Sequence, residues 1–379
     1  MKPIYLDYAA TAPTDPEALK AALPYYKNIF FNPSSTHILG QKAYTAVERA
    51  RKQCADAINA YPDEIYFTSG GTESVNWAFT AADNARNKIV VSAIEHDAVL
   101  SCAESYAKRG FRIEYVKPER YDADNNNAGT ITPQALEKAT DENTSLVCVM
   151  TVNNITGNIQ PVKALAKTAH DRGALFFTDA VQAVNAVDID VKDSDVDLLA
   201  VSGHKFCAPK GVGFLYIKRG VKLPPMLVGG EQERGMRAGT APVPAIVAMG
   251  VAMERAVKNK AENRAHIKSV AQAFTDTLDC GKAIDCGARI DDIVSVSFAP
   301  LDGGRLAVAL SCAGVCCSVG SACSAGSATP PKTLSEMCVP HPECTVRFSF
   351  GKTLSVENAV AAAKIVNATV KKLLGKRAI

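Results

Sequence analysis

Lys205 ends the run Ser202-Gly203-His204-Lys205, which follows an apolar stretch at 198–201. A lysine just past a strand end, beside hydroxyl and imidazole donors, suits a Schiff base next to a phosphate; an exposed loop lysine is the plain alternative. Gly70-Gly71-Thr72-Glu73 stands at another strand-to-helix turn. Its glycines let the backbone come close to an anion, and the free amides and dipole of a helix start favour phosphate, although a tight turn alone reads the same way. Asp179 closes the stretch 174–178. A carboxylate facing inward there is costly unless it meets a cation. A protonated pyridine nitrogen is such a partner; capping the next helix is the other use. One turn on, Gln182 can donate to a phenolic oxygen of the same ring. Glu95-His96 follows the stretch 88–93 and places an imidazole where it can stack on a flat cofactor and move protons, or serve structure alone.

Arg347 lies among apolar neighbours in 346–350. A semi-buried guanidinium calls for a planar anion, either a substrate carboxylate held by two parallel bonds or an internal salt bridge. Cys323 sits in a run of small and polar residues, 318–328, as a thiol that has to travel would. An ordinary thiol is only slightly ionised at neutral pH, so its activity would need a nearby base or positive charge; an incidental surface cysteine is the bland reading. Cys338-x-x-His341-x-x-Cys344 has ligand-like spacing but interleaves two prolines and lacks a fourth ligand, which speaks against a metal. Cys316-Cys317 reads as apolar packing on a strand.

These groups need a frame, and the hydrophobic pattern supplies one. Short β-branched and aromatic runs at 65–68, 88–93, 113–116, 145–152, 174–178, 198–201 and 213–217 alternate with helical stretches. That is the pattern of repeated strand and helix units around a mainly parallel sheet, whose strand ends are where such sheets bind ligands. A helical region at 244–278 then leads to a second pattern, with strands expected at 293–298, 306–310 and 346–350. A last helix is capped by Ser355 and stopped at Gly375.

The chain has 379 residues, 47% of them hydrophobic and 21% charged, as in ordinary globular proteins and enough for two domains. A net charge of +3, with no basic stripe interleaved with aromatics, argues against a nucleic-acid partner. The start of the chain carries Asp7 and no signal-like apolar run, and no membrane-spanning stretch follows, so a cytoplasmic location is expected. Twelve cysteines are too dilute for a disulfide scaffold and should be mostly free thiols.

A phosphate turn, a stacking histidine, an acid for a pyridine nitrogen, a Schiff-base lysine and a carboxylate-binding arginine together describe pyridoxal 5'-phosphate holding an amino acid. The sequence resembles the cysteine desulfurases of the NifS/IscS type, in the class V aminotransferase family, from Tyr5-Leu6-Asp7-Tyr8-Ala9-Ala10-Thr11 to Arg347-Phe348-Ser349. The resemblance implies an α/β fold of the PLP-dependent transferases, fold type I, like aspartate aminotransferase. A large domain over 16–255 would be joined by a small α/β domain from 1–15 and 256–379. It implies that Lys205 carries the cofactor, that His96 stacks on the ring, that Asp179 pairs with the ring nitrogen, and that Asn153 and Gln182 lie near the ring oxygen. Gly71, Thr72, Ser202 and His204 would hold the phosphate, completed by Thr240 of Arg237-Ala238-Gly239-Thr240 from a neighbouring subunit in a homodimer. Asn32 and Arg347 would grip the carboxylate of L-cysteine, and Cys323, in Gly320-Ser321-Ala322-Cys323, is similar to the persulfide-forming cysteine of the long-loop group. The sulfur would pass to an acceptor protein such as an iron–sulfur scaffold. Two positions depart from the family pattern: Ile155 stands where Glu is usual, and Ala208 replaces a glycine after Lys205. A selenocysteine lyase, an aminotransferase of the same fold and a catalytically silent assembly subunit are the competing readings.

Overall fold

The computed structural model describes residues 3–122, 125–320 and 330–375. Strand β1 (Ile4–Tyr5) and helices α1 (Pro16–Lys27) and α2 (Ile38–Ala57) precede β2 (Ile65–Thr68). Strands and helices then alternate: α3 (Gly71–Phe79), β3 (Lys88–Ser92), α4 (Asp97–Lys108), β4 (Arg112–Val116), α5 (Pro133–Ala139) and β5 (Thr144–Cys148). They continue through α6 (Val162–His170), β6 (Leu175–Asp179), α7 (Val191–Ser194), β7 (Leu198–Ser202) and β8 (Gly213–Ile217). The later part holds α8 (Val243–Lys258), α9 (Lys260–Thr277), β9 (Lys282–Ala283), β10 (Ile293–Ser297), α10 (Gly303–Cys312) and β11 (Val315–Cys316). It ends with α11 (Lys332–Glu336), β12 (Thr345–Ser349) and α12 (Val356–Gly375).

Seven strands form one sheet in the order β2-β8-β7-β6-β5-β3-β4. Only β8 runs against its neighbours, so β2, β3, β5, β6 and β7 all end at one edge. Strands β3, β5, β7 and β8 are buried along their whole length, as expected when helices cover both faces. One face packs against α1, α2, α6 and α8, the other against α3 and α4.

A second core gathers Phe274, Phe348, Phe350 and Val366 around the antiparallel sheet β12-β10-β9. The N-terminus belongs to this core. Ile4 and Tyr5 pair in parallel with Val315 and Cys316, and Leu6 is fully buried there. The expected helical region at 244–278 is two helices that meet at Asn259: α8 packs on the large sheet's layer, α9 against α12.

The strand expected at 306–310 is instead part of α10. Leu306 and Leu310 are fully buried while Val308 between them is 66% exposed, a helical spacing, and Asp302 caps the helix by accepting from the Arg305 amide at 2.8 Å. Alanine and leucine favour helix, and once a cap is present the short apolar run follows it. The last helix does begin at a Ser355 cap, whose Oγ accepts from the Asn358 amide at 3.2 Å. Among the described residues no helix is long and apolar enough to cross a membrane, and the eleven described cysteines are all free.

Candidate active site

The strand ends place the chemistry. Past β2, Gly70 takes φ +150, a conformation that favours glycine, and Gly71 opens α3 with no room for a side chain: an added Cβ would lie 2.9 Å from Val181 Cγ2. Past β3 comes His96, which caps α4 by accepting from the Ala98 amide on Nδ1 at 3.1 Å. In the neutral ring the proton is therefore on Nε2. Asp179 ends β6, and Ser202 ends β7 just before the short turn that carries His204 and Lys205.

His96, Asp179, Ser202, His204 and Lys205 line one cavity of about 170 Å³, together with Gly71, Thr72, Asn154, Gln182 and Arg347. The Lys205 ammonium is held at its mouth by the carbonyls of Ala9 (2.5 Å) and Ala10 (3.0 Å). Gln182 Nε2 donates to the same Ala9 carbonyl at 2.8 Å. The chain entering from β1 thus fixes both polar groups.

Burial raises the Asp179 carboxyl above its usual value, and the charges of His96 and Lys205 oppose that rise. A cation on the cavity side would stabilise its anion further. Burial pulls the His204 imidazole down to about 4, helped by the charges of Lys205 and Lys210, so at neutral pH it is an uncharged donor or acceptor. Its Nδ1 lies 3.2 Å from Thr11 Oγ1.

Arg347 enters from the second core. It is 2% exposed, with Nη1 donating to the Asn154 carbonyl at 2.7 Å and Nη2 to Asp7 Oδ1 at 3.0 Å. Its Nε has no hydrogen-bond partner among the described residues. A guanidinium that contributes to the cavity wall and keeps a buried donor unmet fits a carboxylate. The glycine cradle, the inward acid, the lysine and this open donor together fit pyridoxal phosphate carrying an amino acid.

Several expected residues fall elsewhere. Asn153 does not reach the cavity; its neighbour Asn154 does. Asn153 is fully buried, and its Oδ1 accepts from the amides of Ile155 (2.9 Å) and Thr156 (3.0 Å) while Nδ2 donates to the Ile94 carbonyl at 2.9 Å. Its amide is consumed by backbone. The sequence carried the signal: an Asn followed by a turn ending in Gly157, at φ +76, is placed to close an Asx turn. Asn32 is exposed and accepts from the Ser34 amide at 2.9 Å, outside the cavity. Thr240 is exposed, on a segment whose Arg237 grips Glu73 of α3 at 2.8 Å. Cys323 lies outside the described residues. Ala208 is free of left-handed strain, because Cys207 takes the positive φ (+68) instead.

Sequence reasoning missed Asp7 as the partner of Arg347 and the backbone carbonyls that hold Lys205, since neither contact is local in sequence. Cys338 is exposed and lies 3.3 Å from Arg120 Nε, and His341 is 3.5 Å from Glu343. Among the described residues no group of three or more His, Cys, Asp or Glu is placed to hold a metal.

A Lys at a strand end, an Asp buried behind it and a glycine-opened helix on an α/β sheet define a class, and the family model agrees. The chain belongs to the class-V aminotransferase family, whose model matches residues 4–360. It is 39% identical to the cysteine desulfurase IscS of Methanosarcina thermophila, over 98% of this chain and 93% of that one. Among solved structures it resembles a NifS-like protein (TM-score 0.90, 31% identity, 97% and 99% of the two chains). It also resembles SspA in complex with cysteine (TM-score 0.79, 32% identity, 92% and 98%).

Proposed function

We propose that this chain is a PLP-dependent cysteine desulfurase, which converts L-cysteine to L-alanine and carries the sulfur away as a persulfide on Cys323. The observation that carries the reading is the one cavity that Lys205, Asp179 and Arg347 line together. In this reading Lys205 would hold the cofactor through its aldehyde, Gly71, Thr72, Ser202 and His204 would hold its phosphate, and His96 would hold its ring. Asp179 faces the ring nitrogen, and Gln182 and Asn154 face the ring oxygen. The bound cofactor would supply an electron sink for the pair released at the substrate α-carbon.

The rest is the work of the chain. Arg347 would orient the substrate by its carboxylate, and Lys205 would take the α-proton on Nζ. The Cys323 thiolate attacks the substrate sulfur, so an S–S bond forms as the carbon–sulfur bond breaks. The electron pair of that bond stays with the carbon skeleton, which is protonated to alanine. His96 would be the proton carrier for this exchange. The reach is adequate. Ser318 exchanges backbone bonds with Arg347 at 2.6 and 3.1 Å, and Cys323 follows five residues later, a tether of at most about 17 Å.

The homodimer is part of the same proposal. Leu23, Tyr26, Phe30, Ile38 and Tyr44 are all at least 45% exposed within one short stretch that includes Asn32, a concentration of apolar surface that a second copy would cover. Thr240 would then meet the partner's phosphate site, and an acceptor such as an iron–sulfur scaffold would receive the sulfur. The test is to incubate the purified protein with cysteine, quantify alanine and sulfide, and map the persulfide by peptide mass. Cys323→Ser should keep the bound cofactor and lose the persulfide; full sulfide release by that variant would refute the role of Cys323.

A further inference from the structure

We propose that Asn153 and Glu95 are positioning residues for His96, acting as a two-point clamp that fixes the imidazole turn against the segment leaving β5. The inference rests on the reading that His96 stacks on the cofactor. Between the end of β3 and the cap of α4 the chain has no regular structure, so His96 sits on four residues that the ladder does not hold beyond Ala93, whose amide bonds the Val116 carbonyl at 2.8 Å. Beyond the bonds by which His96 itself caps α4, the further constraint on this turn comes from side chains.

At the first point, Asn153 Nδ2 donates to the Ile94 carbonyl at 2.9 Å. The direction of this amide is settled by its other end: Oδ1 accepts two backbone N–H groups, so only the nitrogen can face Ile94. At the second point, Glu95 Oε1 accepts from Ser92 Oγ at 2.6 Å and from the Met150 amide at 2.7 Å. Met150 and Asn153 both follow β5, so one segment grips the turn on both sides of the Ile94–Glu95 peptide. Asn153 is 0% and Glu95 5% exposed, and neither is among the residues on the cavity wall. They can therefore act on the cofactor only through what they hold. Glu95 Oε2 has no partner among the described residues, and burial pushes the carboxyl up to about 8, so the group that holds Met150 at neutral pH is the neutral acid. Gln has the same shape and should replace it.

The experiment measures pyridoxal phosphate dissociation from the full-length protein, by equilibrium dialysis followed by absorbance. Asn153→Ser keeps an oxygen that can close the turn at Ile155 but cannot reach Ile94, and Glu95→Ala removes the second point. Each should weaken cofactor binding about tenfold, the effect of one lost buried hydrogen bond, whereas Glu95→Gln should stay within about twofold of wild type. The double variant N153S/H96Q should bind no more weakly than H96Q alone, because Asn153 works through the imidazole. If N153S does not fold, Asn153→Asp, which retains Oδ1 and loses the donor when ionised, takes its place. Wild-type affinity in N153S and E95A, loss of binding in E95Q, or multiplicative losses in the double variant would overturn the clamp. Failure of the underlying reading looks different: the wild type would bind no cofactor, or H96Q would bind it as tightly as the wild type.

Discussion

Replacing Arg347 by lysine keeps the charge and removes the fork. In the structure Nη1 is committed to the Asn154 carbonyl and one hydrogen of Nη2 to Asp7, leaving Nε and the second Nη2 hydrogen as the edge available to a carboxylate. A lysine ammonium reaching the same place must choose between the old partners and the substrate. The loss is at least one charge-assisted hydrogen bond, about 1.5 to 3 kcal/mol, which corresponds to roughly a 10- to 150-fold fall in kcat/KM for cysteine. Because none of these contacts reaches Thr72, His96 or Asp179, the dissociation constant of pyridoxal phosphate should stay within about twofold of wild type. The assay is alanine formation over a range of cysteine concentrations at saturating cofactor, beside a cofactor titration of the same preparations. A KM for cysteine unchanged in R347K would refute the carboxylate role. So would a parallel loss of cofactor affinity, which would make Arg347 a structural post.

Lys205→Ala should bind cofactor without a covalent link: borohydride should fix an adduct on the Lys205 peptide of the wild type and none in the variant, as peptide mass will show. Arg51→Met should destabilise the fold by about 3 to 5 kcal/mol in urea unfolding, because it strands the buried Glu233 carboxylate that Arg51 grips at 2.7 and 2.8 Å. Glu95, whose folded pKa is raised from 4.5 to about 8 by burial, adds stability that is complete below about pH 4.5 and drains away as pH rises toward 8. Glu95→Gln cannot titrate, so the difference in urea midpoint between pH 5 and pH 8 should be smaller in the variant; parallel pH dependence in the two proteins would count against the buried acid.

The sheet was legible because most of its strands are buried and so read as unbroken apolar runs, several of them followed by polar residues that line the cavity. At 306–310 the same kind of run misled, since five apolar residues carry no period until a cap such as Asp302 is recognised. The cavity groups Lys205, Asp179 and His96 were readable because each lies at the end of its strand or within a few residues of it. Asn153 and Asn154 show the limit: strand position narrows the choice to a pair, and only the turn beyond, with its two amides waiting for an acceptor, decides which side chain is spent on backbone. The partnership of Arg347 with Asp7, 340 residues apart, leaves no trace in local pattern.

That partnership also explains how a binding site can wait half-finished. Four buried side-chain atoms lack a hydrogen-bond partner among the described residues, and two of them, Glu95 Oε2 and Arg347 Nε, belong to the neighbourhood of the cavity. They mean different things because they face different ways. Glu95 is not on the wall, and because burial raises its pKa it keeps its proton and leaves no buried charge there. Arg347 cannot do so: its guanidinium stays charged beside Asp7, and it is the residue, not Glu95, that contributes to the cavity wall. Leaving a buried donor unmet costs about 1 to 3 kcal/mol, and an arriving carboxylate removes that cost at the moment it is placed. An amino acid lacking its carboxylate leaves the donor unmet. On the proposed role of Arg347, preference for an α-amino acid would come from the donor that the folded chain leaves unmet at Nε.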